Sequence, residues 1–284
     1  MEIQLLENRE LEETAKFLTR LNSNPTYHIG YVSKNSLEIQ EDLQILLQDD
    51  ESSAFIVKER GQIFGFIGVD GDQERSVGEI WGPFVEANNF QLGEQLLLYV
   101  QSNVYFNKLN LFFNQENQLL LHLAEQHHYT FQSRENILEI EKEAISSNEP
   151  VQKFTEEYAE QLIILHDQIF PQTYYSGSEL IDNMNADGDI YIIVEHHHLL
   201  GYVYVELDYT LRKGSIEFLG VNNRVRKQGI GTKLLKMTLS DLFRKNIDLI
   251  QLCVNTTNEK ALSLYHKCGF SVKERLNFYQ KAKI

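Results

Sequence analysis

The order of apolar and polar positions predicts the same series of elements in each half of the chain. Short runs of alternating or branched apolar residues predict strands, and apolar residues spaced three and four apart predict amphipathic helices. In the first half, strands are predicted at 1–6, 54–58, 62–69, 78–85, 108–113 and 130–141, and helices at 10–21, 36–48, 92–101 and 117–126. In the second half, strands are predicted at 151–154, 190–195, 200–208, 215–221, 249–254 and 270–281, and helices at 156–170, 179–184, from 232 onward, and at 261–267.

Corresponding positions of the two halves lie at a constant spacing, which predicts an internal repeat. Gly65-Phe-Ile-Gly-Val69 corresponds to Gly201-Tyr-Val-Tyr-Val205 at an offset of 136 residues, and Asn117–Leu123 corresponds to Asn258–Leu264 at an offset of 141. A five-residue insertion between these two blocks reconciles the offsets. We therefore expect two domains, at 1–145 and 150–284, joined by the polar segment Ile145–Pro150.

A basic turn with two glycines follows the predicted strand that ends at Val221. Its sequence is Arg226-Lys-Gln-Gly229-Ile-Gly231, and an apolar helical pattern starts at Thr232. A turn at the start of a helix directs several backbone N–H groups toward one point, which suits a phosphate, and glycines let the phosphate approach. A Gly-x-Gly sequence alone also occurs in ordinary turns.

The spacing Arg-x-x-Gly-x-Gly directly after a strand resembles the acetyl-CoA pyrophosphate loop of the GNAT family of N-acetyltransferases. A second stretch, Asn258-x-x-Ala261-x-x-Leu-Tyr265-x-x-x-Gly269-Phe270, is similar to a later motif of the same family. The resemblance covers the second half of the chain, with both motifs in the expected order. It implies an α/β (α+β) fold of two tandem GNAT-like domains, each a mixed, mostly antiparallel twisted sheet flanked by helices.

This resemblance implies that acetyl-CoA lies between the strand ending at Val221 and the strand 249–254. Backbone N–H groups would hold its pyrophosphate and pantetheine, and Tyr265 would protonate the departing CoA thiolate as general acid. The residues expected to bind acetyl-CoA are Leu219, Gly220, Val221, Arg226, Lys227, Gln228, Gly229, Ile230, Gly231, Thr232 and Asn258.

An amine acceptor must lose a proton, and Glu217 is the candidate base, acting directly or through a water. Strand alternation places Glu217 on the face of Leu219 and Val221, but it does not tell which face meets the substrate. An exposed or ion-paired carboxylate is the alternative reading. Further candidates for the acceptor site are the carboxylates Glu206 and Asp208, and Tyr174 and Tyr175 in the loop between the first two helices of this half, which could equally be surface aromatics.

The first half lacks these motifs, which predicts a degenerate GNAT-like domain without an acetyl-CoA motif. In the ungapped comparison Gly93 corresponds to Gly229. The positions of Arg226, Gly231 and Tyr265 are occupied by Phe90, Gln95 and Ala124. We expect this half to support the second or to help shape its acceptor cleft.

The charge is unevenly distributed, and this narrows the function. The formal net charge is −15 over 284 residues. Residues 1–150 carry 25 acidic and 10 basic side chains, whereas residues 151–284 carry 16 of each. The pattern argues against nucleic-acid and anionic-membrane partners and permits a cationic amine substrate, although acidic surfaces also serve solubility.

No apolar run of 18 residues and no signal-peptide pattern occur, so we expect a cytoplasmic protein. Cys253 and Cys268 are expected to stay reduced. The runs His196–His198 and His127–His128 lack ligand spacing, so no metal site is expected.

Together these features predict an acetyl-CoA-dependent N-acetyltransferase in which an amine attacks the thioester directly, with the C-terminal domain active. The acceptor is a small-molecule amine or an amino group of a larger molecule, and the protein is a monomer or homodimer. The alternatives are an acyltransferase with another acyl donor and a non-catalytic CoA-binding or scaffold protein.

Overall fold

The computed structural model describes residues 2–142, 152–171, 173–184 and 188–282. These residues form two compact units, which are described separately below. The predicted linker at Ile145–Pro150 lies outside the described residues.

Unit 1 contains Met1–Glu135 and Arg275–Ile284. Its strands are β1 (Ile3–Leu5), β2 (Ser53–Glu59), β3 (Gln62–Asp72), β4 (Val77–Val85), β5 (Lys108–Asn114), the first part of β6 (Thr130–Glu141) and the last part of β11 (Ser271–Ala282). Its helices are α1 (Leu11–Asn22), α2 (Ser36–Gln48), α3 (Phe90–Asn103) and α4 (Gln118–Gln126).

Unit 2 contains Asn136–Glu274. Its strands are the rest of β6, then β7 (Gly188–Glu195), β8 (His198–Asp208), β9 (Lys213–Val221), β10 (Leu249–Asn255) and the first part of β11 (Ser271–Ala282). Its helices are α5 (Ala159–Ile169), α6 (Gly177–Asn183), α7 (Ile230–Arg244) and α8 (Glu259–Lys267). The predicted entry strand at 151–154 amounts to one isolated bridge between Lys153 and Tyr191.

The strands of unit 1 lie in the order β1-β2-β3-β4-β5-β11, and those of unit 2 in the order β6-β10-β9-β8-β7. Strands joined by hairpins are antiparallel, whereas β4 with β5 and β9 with β10 are parallel. Helices pack on these sheets because their apolar stripes are buried against the strands. The predicted mixed, mostly antiparallel sheets flanked by helices are therefore confirmed.

The two parallel pairs diverge at the same place in each unit. In unit 2 the register joins Lys213 to Leu249 and continues only as far as Ser215 with Gln251. In unit 1 it joins Val77 to Lys108 and continues as far as Glu79 with Asn110. Past these points, within the described chain, the strands of each pair separate and leave an opening between their carboxyl ends.

The boundaries of the two sequence repeats do not coincide with the boundaries of the two compact units. β11 comes from the second repeat but pairs antiparallel with β5 of unit 1, from Leu276 with Asn114 to Ala282 with Lys108. Residues 136–142, from the first repeat, belong to unit 2. The sequence pattern predicts that these last segments are strands. It does not show which strand of the sheet each of them will pair with.

The loop that precedes α3 and α7 corrects one part of the sequence comparison. Four residues separate β4 from α3, whereas eight residues, Asn222–Gly229, separate β9 from α7. Gly93 therefore lies inside α3, and its N–H bonds to the carbonyl of Asn89, whereas Gly229 precedes α7 with φ +83°. The correspondences of Gly93, Phe90 and Gln95 with the loop residues of the second repeat are wrong.

This correction strengthens the contrast between the repeats. Four of the five additional residues of the second repeat lie in this loop, and the fifth lies in α7, which has 15 residues against 14 in α3. Unit 1 therefore lacks half of the loop, whereas Ala124 and Tyr265 do occupy matching places in α4 and α8.

Candidate active site

The opening between β9 and β10 continues into a cleft of about 800 Å³ in unit 2. A bulge in β9 shapes its wall, because Phe218 pairs with Tyr204 and Ile216 pairs with Val205, which leaves Glu217 as the extra residue. The predicted site residues that line this cleft are Glu217, Leu219, Val221, Arg226, Lys227, Gly229, Ile230, Gly231, Thr232, Asn258 and Tyr265.

The basic turn ends with its backbone directed at the cleft. Gly229 takes the left-handed conformation, with φ +83°, and serves as the N-cap of α7. The first helical hydrogen bond runs from the Lys233 N–H to the Gly229 carbonyl, so the N–H groups of Ile230 and Gly231 precede it. Such N–H groups at a helix start, lining a cleft, favour an anion there.

The side chains around this turn add to that preference. Arg226 is fixed by a hydrogen bond of 3.2 Å from its Nε to the Val221 carbonyl. Four cationic side chains line the cleft against two carboxylates; the cations are Arg226, Lys227, Lys260 and Lys267, and the carboxylates are Glu217 and Glu259. The local balance suits a polyanionic ligand although the whole chain is acidic.

Gly231 leaves room where a longer side chain would enter the cleft. A Cβ atom at this position would lie 3.3 Å from Leu264 Cδ2 and 3.6 Å from Val221 Cγ2. An alanine would therefore be tight but tolerable, whereas anything longer would have to extend into the opening.

Two of the predicted cofactor residues do not line the cleft. A Cβ atom at Gly220 would point to the face of the sheet opposite the cleft, where it would lie 2.5 Å from Tyr202 Cε1. Only its backbone is therefore available toward the strand opening. Gln228 lies in the turn but is not among the lining residues.

Tyr265 reaches the cleft from α8 and is buried, with 8% of its surface exposed. Burial raises the pKa of its hydroxyl to about 12, so the group stays protonated at neutral pH. Its ring packs edge-on against Phe270, with the centroids 5.7 Å apart. Its position and protonation suit a proton donor in the cleft.

Asn258 has a structural task in addition to its place in the cleft. Its side-chain oxygen accepts the Ala261 N–H at 3.2 Å and caps α8. Asn117 caps α4 of unit 1 in the same way by accepting the N–H of Leu120. Because both repeats need this cap, Asn258 would be expected at this position even without a ligand.

Glu217 is joined by an aromatic group from the loop between α5 and α6. The Tyr174 hydroxyl donates a hydrogen bond to the Glu217 carboxylate. The Tyr174 ring lies 5.0 Å from Phe218 and 4.9 Å from Tyr175. Burial and the charge of Glu217 both raise the pKa of Tyr174, so it stays a donor.

Glu206 belongs to the same cluster, whereas Asp208 does not. Tyr204 donates to Glu206 at 3.2 Å, and burial together with the Glu206 charge raises the pKa of Tyr175. Asp208 instead accepts the Leu211 N–H at 2.8 Å in the exposed turn after β8. Three of the four predicted acceptor residues are thus brought together beside Glu217.

Other residues of this site belong to no motif in the sequence. Ile169 and Phe170 at the end of α5, and Cys253–Asn255 on β10, line the cleft. His166, buried in α5, contacts the Tyr174–Tyr175 loop through the Tyr175 carbonyl. The sequence offers one signal for His166, a histidine among the apolar positions of this helix. Such a histidine more often has only a structural role in the core.

The corresponding opening in unit 1 is filled by its own chain. Segment His28–Gly30, between α1 and α2, pairs with β5: the Gly30 N–H bonds to the Phe112 carbonyl at 2.7 Å, and the Asn114 N–H bonds to the His28 carbonyl at 3.0 Å. The buried Asn22 side chain fixes this segment by accepting the Ile29 N–H at 2.7 Å and donating to the Val32 carbonyl at 2.6 Å. The segment therefore occupies the edge of β5 in unit 1, whereas the matching edge of β10 in unit 2 is open.

Within the described residues, no group of three or more His, Cys, Asp or Glu side chains is arranged to hold a metal ion. His196 and His197 form a two-residue turn, both with positive φ, between β7 and β8. No helix within the same residues combines the length and apolar character needed to cross a bilayer.

The diverging parallel strands, the glycine turn at a helix start and the buried tyrosine come together around one cleft in unit 2. Residues 148–270 match the Acetyltransferase (GNAT) family. This match covers the segment that contains the basic turn and Tyr265, and the fold of the chain is that of solved tandem GNAT proteins.

Similar solved structures cover nearly the whole chain. A GCN5-related N-acetyltransferase from Sphaerobacter thermophilus has a TM-score of 0.75 at 15% identity, covering 99% of this chain and 95% of that one. A tandem GNAT protein from the clavulanic acid biosynthesis pathway has a TM-score of 0.72 at 12% identity, covering 99% and 98%. At sequence identities this low, the similarity shows the fold alone.

Curated relatives match a shorter segment. N-alpha-acetyltransferase 30 of Xenopus laevis and of Homo sapiens are each 37% identical over 68 residues, or 24% of this chain. The match covers 25% and 19% of those proteins, so the chain spans a quarter or less of their length.

Proposed function

We propose that this protein transfers the acetyl group of acetyl-CoA to an amine, and that unit 2 alone carries the reaction. The observation that supports this most is that Tyr265 and Glu217 face one cleft whose entrance is the basic turn before α7. The names of the relatives, N-alpha-acetyltransferases, support an amino group as the acceptor.

The residues fit acetyl-CoA, the co-substrate that supplies the acetyl group. The N–H groups at the start of α7 and the side chains of Arg226 and Lys227 would hold the pyrophosphate. The edge of β9 at Leu219–Val221, which is not paired with β10, would bond to the pantetheine amides and the thioester carbonyl. Its N–H groups would stabilise the negative charge that develops on that carbonyl oxygen, an effect often worth a few kcal/mol.

Two side chains then handle the protons. Glu217 accepts a proton from the acceptor ammonium, directly or through a water, and the freed amine attacks the thioester carbon. The C–N bond forms, the C–S bond breaks, and Tyr265 gives its proton to the departing sulfur. The extra proton that the nitrogen still carries then passes to the Tyr265 oxygen, which leaves a neutral amide and a protonated tyrosine. The cluster of Tyr174, Tyr175 and Glu206 beside Glu217 would surround the cationic acceptor with aromatic faces and negative charge.

The function is tested by incubating the full chain with acetyl-CoA and a panel of amines, with release of the CoA thiol as the readout. We expect saturable thiol release with at least one amine. Tyr265→Phe should lower kcat by about 10² to 10³ with little change in acetyl-CoA affinity, because only the proton donor is lost.

Each of the other possible results would indicate a different function or a different role for Tyr265. Tight acetyl-CoA binding without turnover of any amine would identify a CoA-binding or scaffold protein. Turnover with a different acyl-CoA only would identify another acyl donor. If Tyr265→Phe keeps full kcat, the assignment of Tyr265 as general acid is wrong.

A further inference from the structure

His166 is the buried histidine of α5, with no exposed surface, and both nitrogens of its ring have partners. Nε2 lies 2.8 Å from the carbonyl oxygen of Tyr175, and Nδ1 lies 2.5 Å from the Tyr202 hydroxyl. A carbonyl oxygen only accepts hydrogen bonds, so Nε2 carries a proton and donates it. In the neutral ring Nδ1 then accepts from the Tyr202 hydroxyl, and burial, which lowers the His166 pKa, favours that neutral ring.

The carbonyl that His166 holds belongs to the loop that carries Tyr174 and Tyr175. The next residue of α5, Asp167, holds the same loop two residues further on by accepting the Gly177 N–H at 2.8 Å. Two successive side chains of one helix therefore fix the end of this loop. The Tyr174 hydroxyl is thereby placed on the Glu217 carboxylate.

The ring of His166 also contacts a residue next to Glu217. Its ring packs edge-on against Phe218, with the centroids 4.8 Å apart, and Tyr174 lies 5.0 Å from the same Phe218. Phe218 follows the bulged residue Glu217 in β9. A purely apolar residue in α5 would fill this space without burying a polar ring, so packing alone does not account for a histidine.

We propose that His166 is a positioning residue that fixes the Tyr174–Tyr175 loop over Glu217 and thereby sets the affinity for the amine acceptor. The inference rests on the proposed function, since it concerns the acceptor side of the same site. It assigns no role to His166 in acetyl-CoA binding, because its two polar partners lie in the loop and in β8.

Two substitutions separate the two hydrogen bonds of His166. In His166→Asn the side-chain oxygen can take the place of Nδ1 and keep the Tyr202 bond, but the bond to the loop is lost. In His166→Gln the amide nitrogen reaches the place of Nε2 and keeps the bond to the loop. We expect His166→Asn to raise the acceptor KM about 10-fold, with kcat and the acetyl-CoA KM within about threefold of wild type, and His166→Gln to stay within about threefold in all three.

Leu162→Ala is the control for lost packing, because Leu162 is buried in the same helix and makes no polar contact with the loop. It should lower the unfolding temperature without raising the acceptor KM. Asp167→Ala, at an exposed position, tests the second attachment of the loop without disturbing the core, and should raise the acceptor KM in the same way as His166→Asn.

Hydrogen exchange of the peptide spanning 171–180 gives a readout that needs no turnover. Faster exchange in His166→Asn and Asp167→Ala, but not in His166→Gln or Leu162→Ala, supports the positioning role even if wild-type protein acetylates none of the amines. Equal exchange in all four variants, or equal acceptor KM values for the Asn and Gln variants, overturns it. Absence of wild-type turnover alone refutes the proposed function and leaves the exchange result to decide the role of His166.

Discussion

At the residue scale, the proposed chemistry depends on two side chains, Tyr265 and Glu217, that line one cleft. The second motif predicts Tyr265, and the position on the strand before the basic turn predicts Glu217. His166 was not predicted, because its task depends on a carbonyl nine residues away that only the folded loop brings to it. Asp208 was grouped with Glu206 because both end one strand, but the turn after β8 uses it as a local hydrogen-bond acceptor.

Glu217→Gln should lower kcat/KM for the amine by about 10² at neutral pH, because an amide cannot accept the proton that the ammonium must lose. Acetyl-CoA affinity should stay within about threefold. Asp208→Asn removes a carboxylate of the same unit that lies outside the Glu217 cluster, and it should leave both constants unchanged. Steady-state kinetics with the best amine of the panel measures the difference, and an equal effect of the two substitutions would exclude Glu217 as the base.

At the scale of elements, hydrophobic periodicity predicted nearly every strand and helix, and the offset between the repeats predicted their order. The prediction failed where the loops have different lengths, because an ungapped comparison cannot locate an insertion inside a polar segment. It also could not show that His28–Gly30, for which no element is predicted, would pair with β5 and fill the opening of unit 1. Such pairing depends on which strand edge remains unsatisfied after the sheet has formed.

Gly231→Gln should weaken acetyl-CoA binding at least 10-fold, because the added side chain must extend into the cleft beside Leu264. Gly231→Ala is the matched control. An alanine Cβ atom would meet Leu264 at 3.3 Å without extending further into the cleft, so affinity should change by about threefold or less. Calorimetric titration of both variants tests this, and equal affinities would show that the start of α7 does not contact the ligand.

At the scale of the whole molecule, the acidic surplus lies in the first repeat and the cationic turn in the second. This split was visible in the sequence, but its local consequences were not. In unit 1, Glu79 on β4 is surrounded by Asp70 and Asp72, and burial together with these charges raises its pKa to about 7. Burial and neighbouring carboxylates raise the pKa of Asp42 to about 6.

These shifts predict that raising the pH destabilises the protein in the neutral range. The folded-state pKa of Glu79 exceeds the ordinary value of 4.5, so the folded state binds more protons between the two values. Its stabilising contribution is complete below about pH 4.5 and is lost as the pH rises through about 7. Glu79→Gln should stabilise the protein at pH 8 by roughly 1 kcal/mol, or a few degrees in Tm, allowing for solvent screening.

Thermal unfolding of wild type and Glu79→Gln at pH 5 and pH 8 measures this effect. The advantage of the variant should be present at pH 8 and largely absent at pH 5. A variant that is equally or less stable than wild type at pH 8 would contradict the raised pKa.

The most direct test of the account is calorimetric titration of the full chain with acetyl-CoA, combined with hydrogen exchange of the complex. We expect one acetyl-CoA per chain, with slower exchange confined to the end of β9, the turn Asn222–Gly229 and the start of α7. Two molecules per chain, protection in unit 1 between β4 and β5, or no binding at all would contradict it.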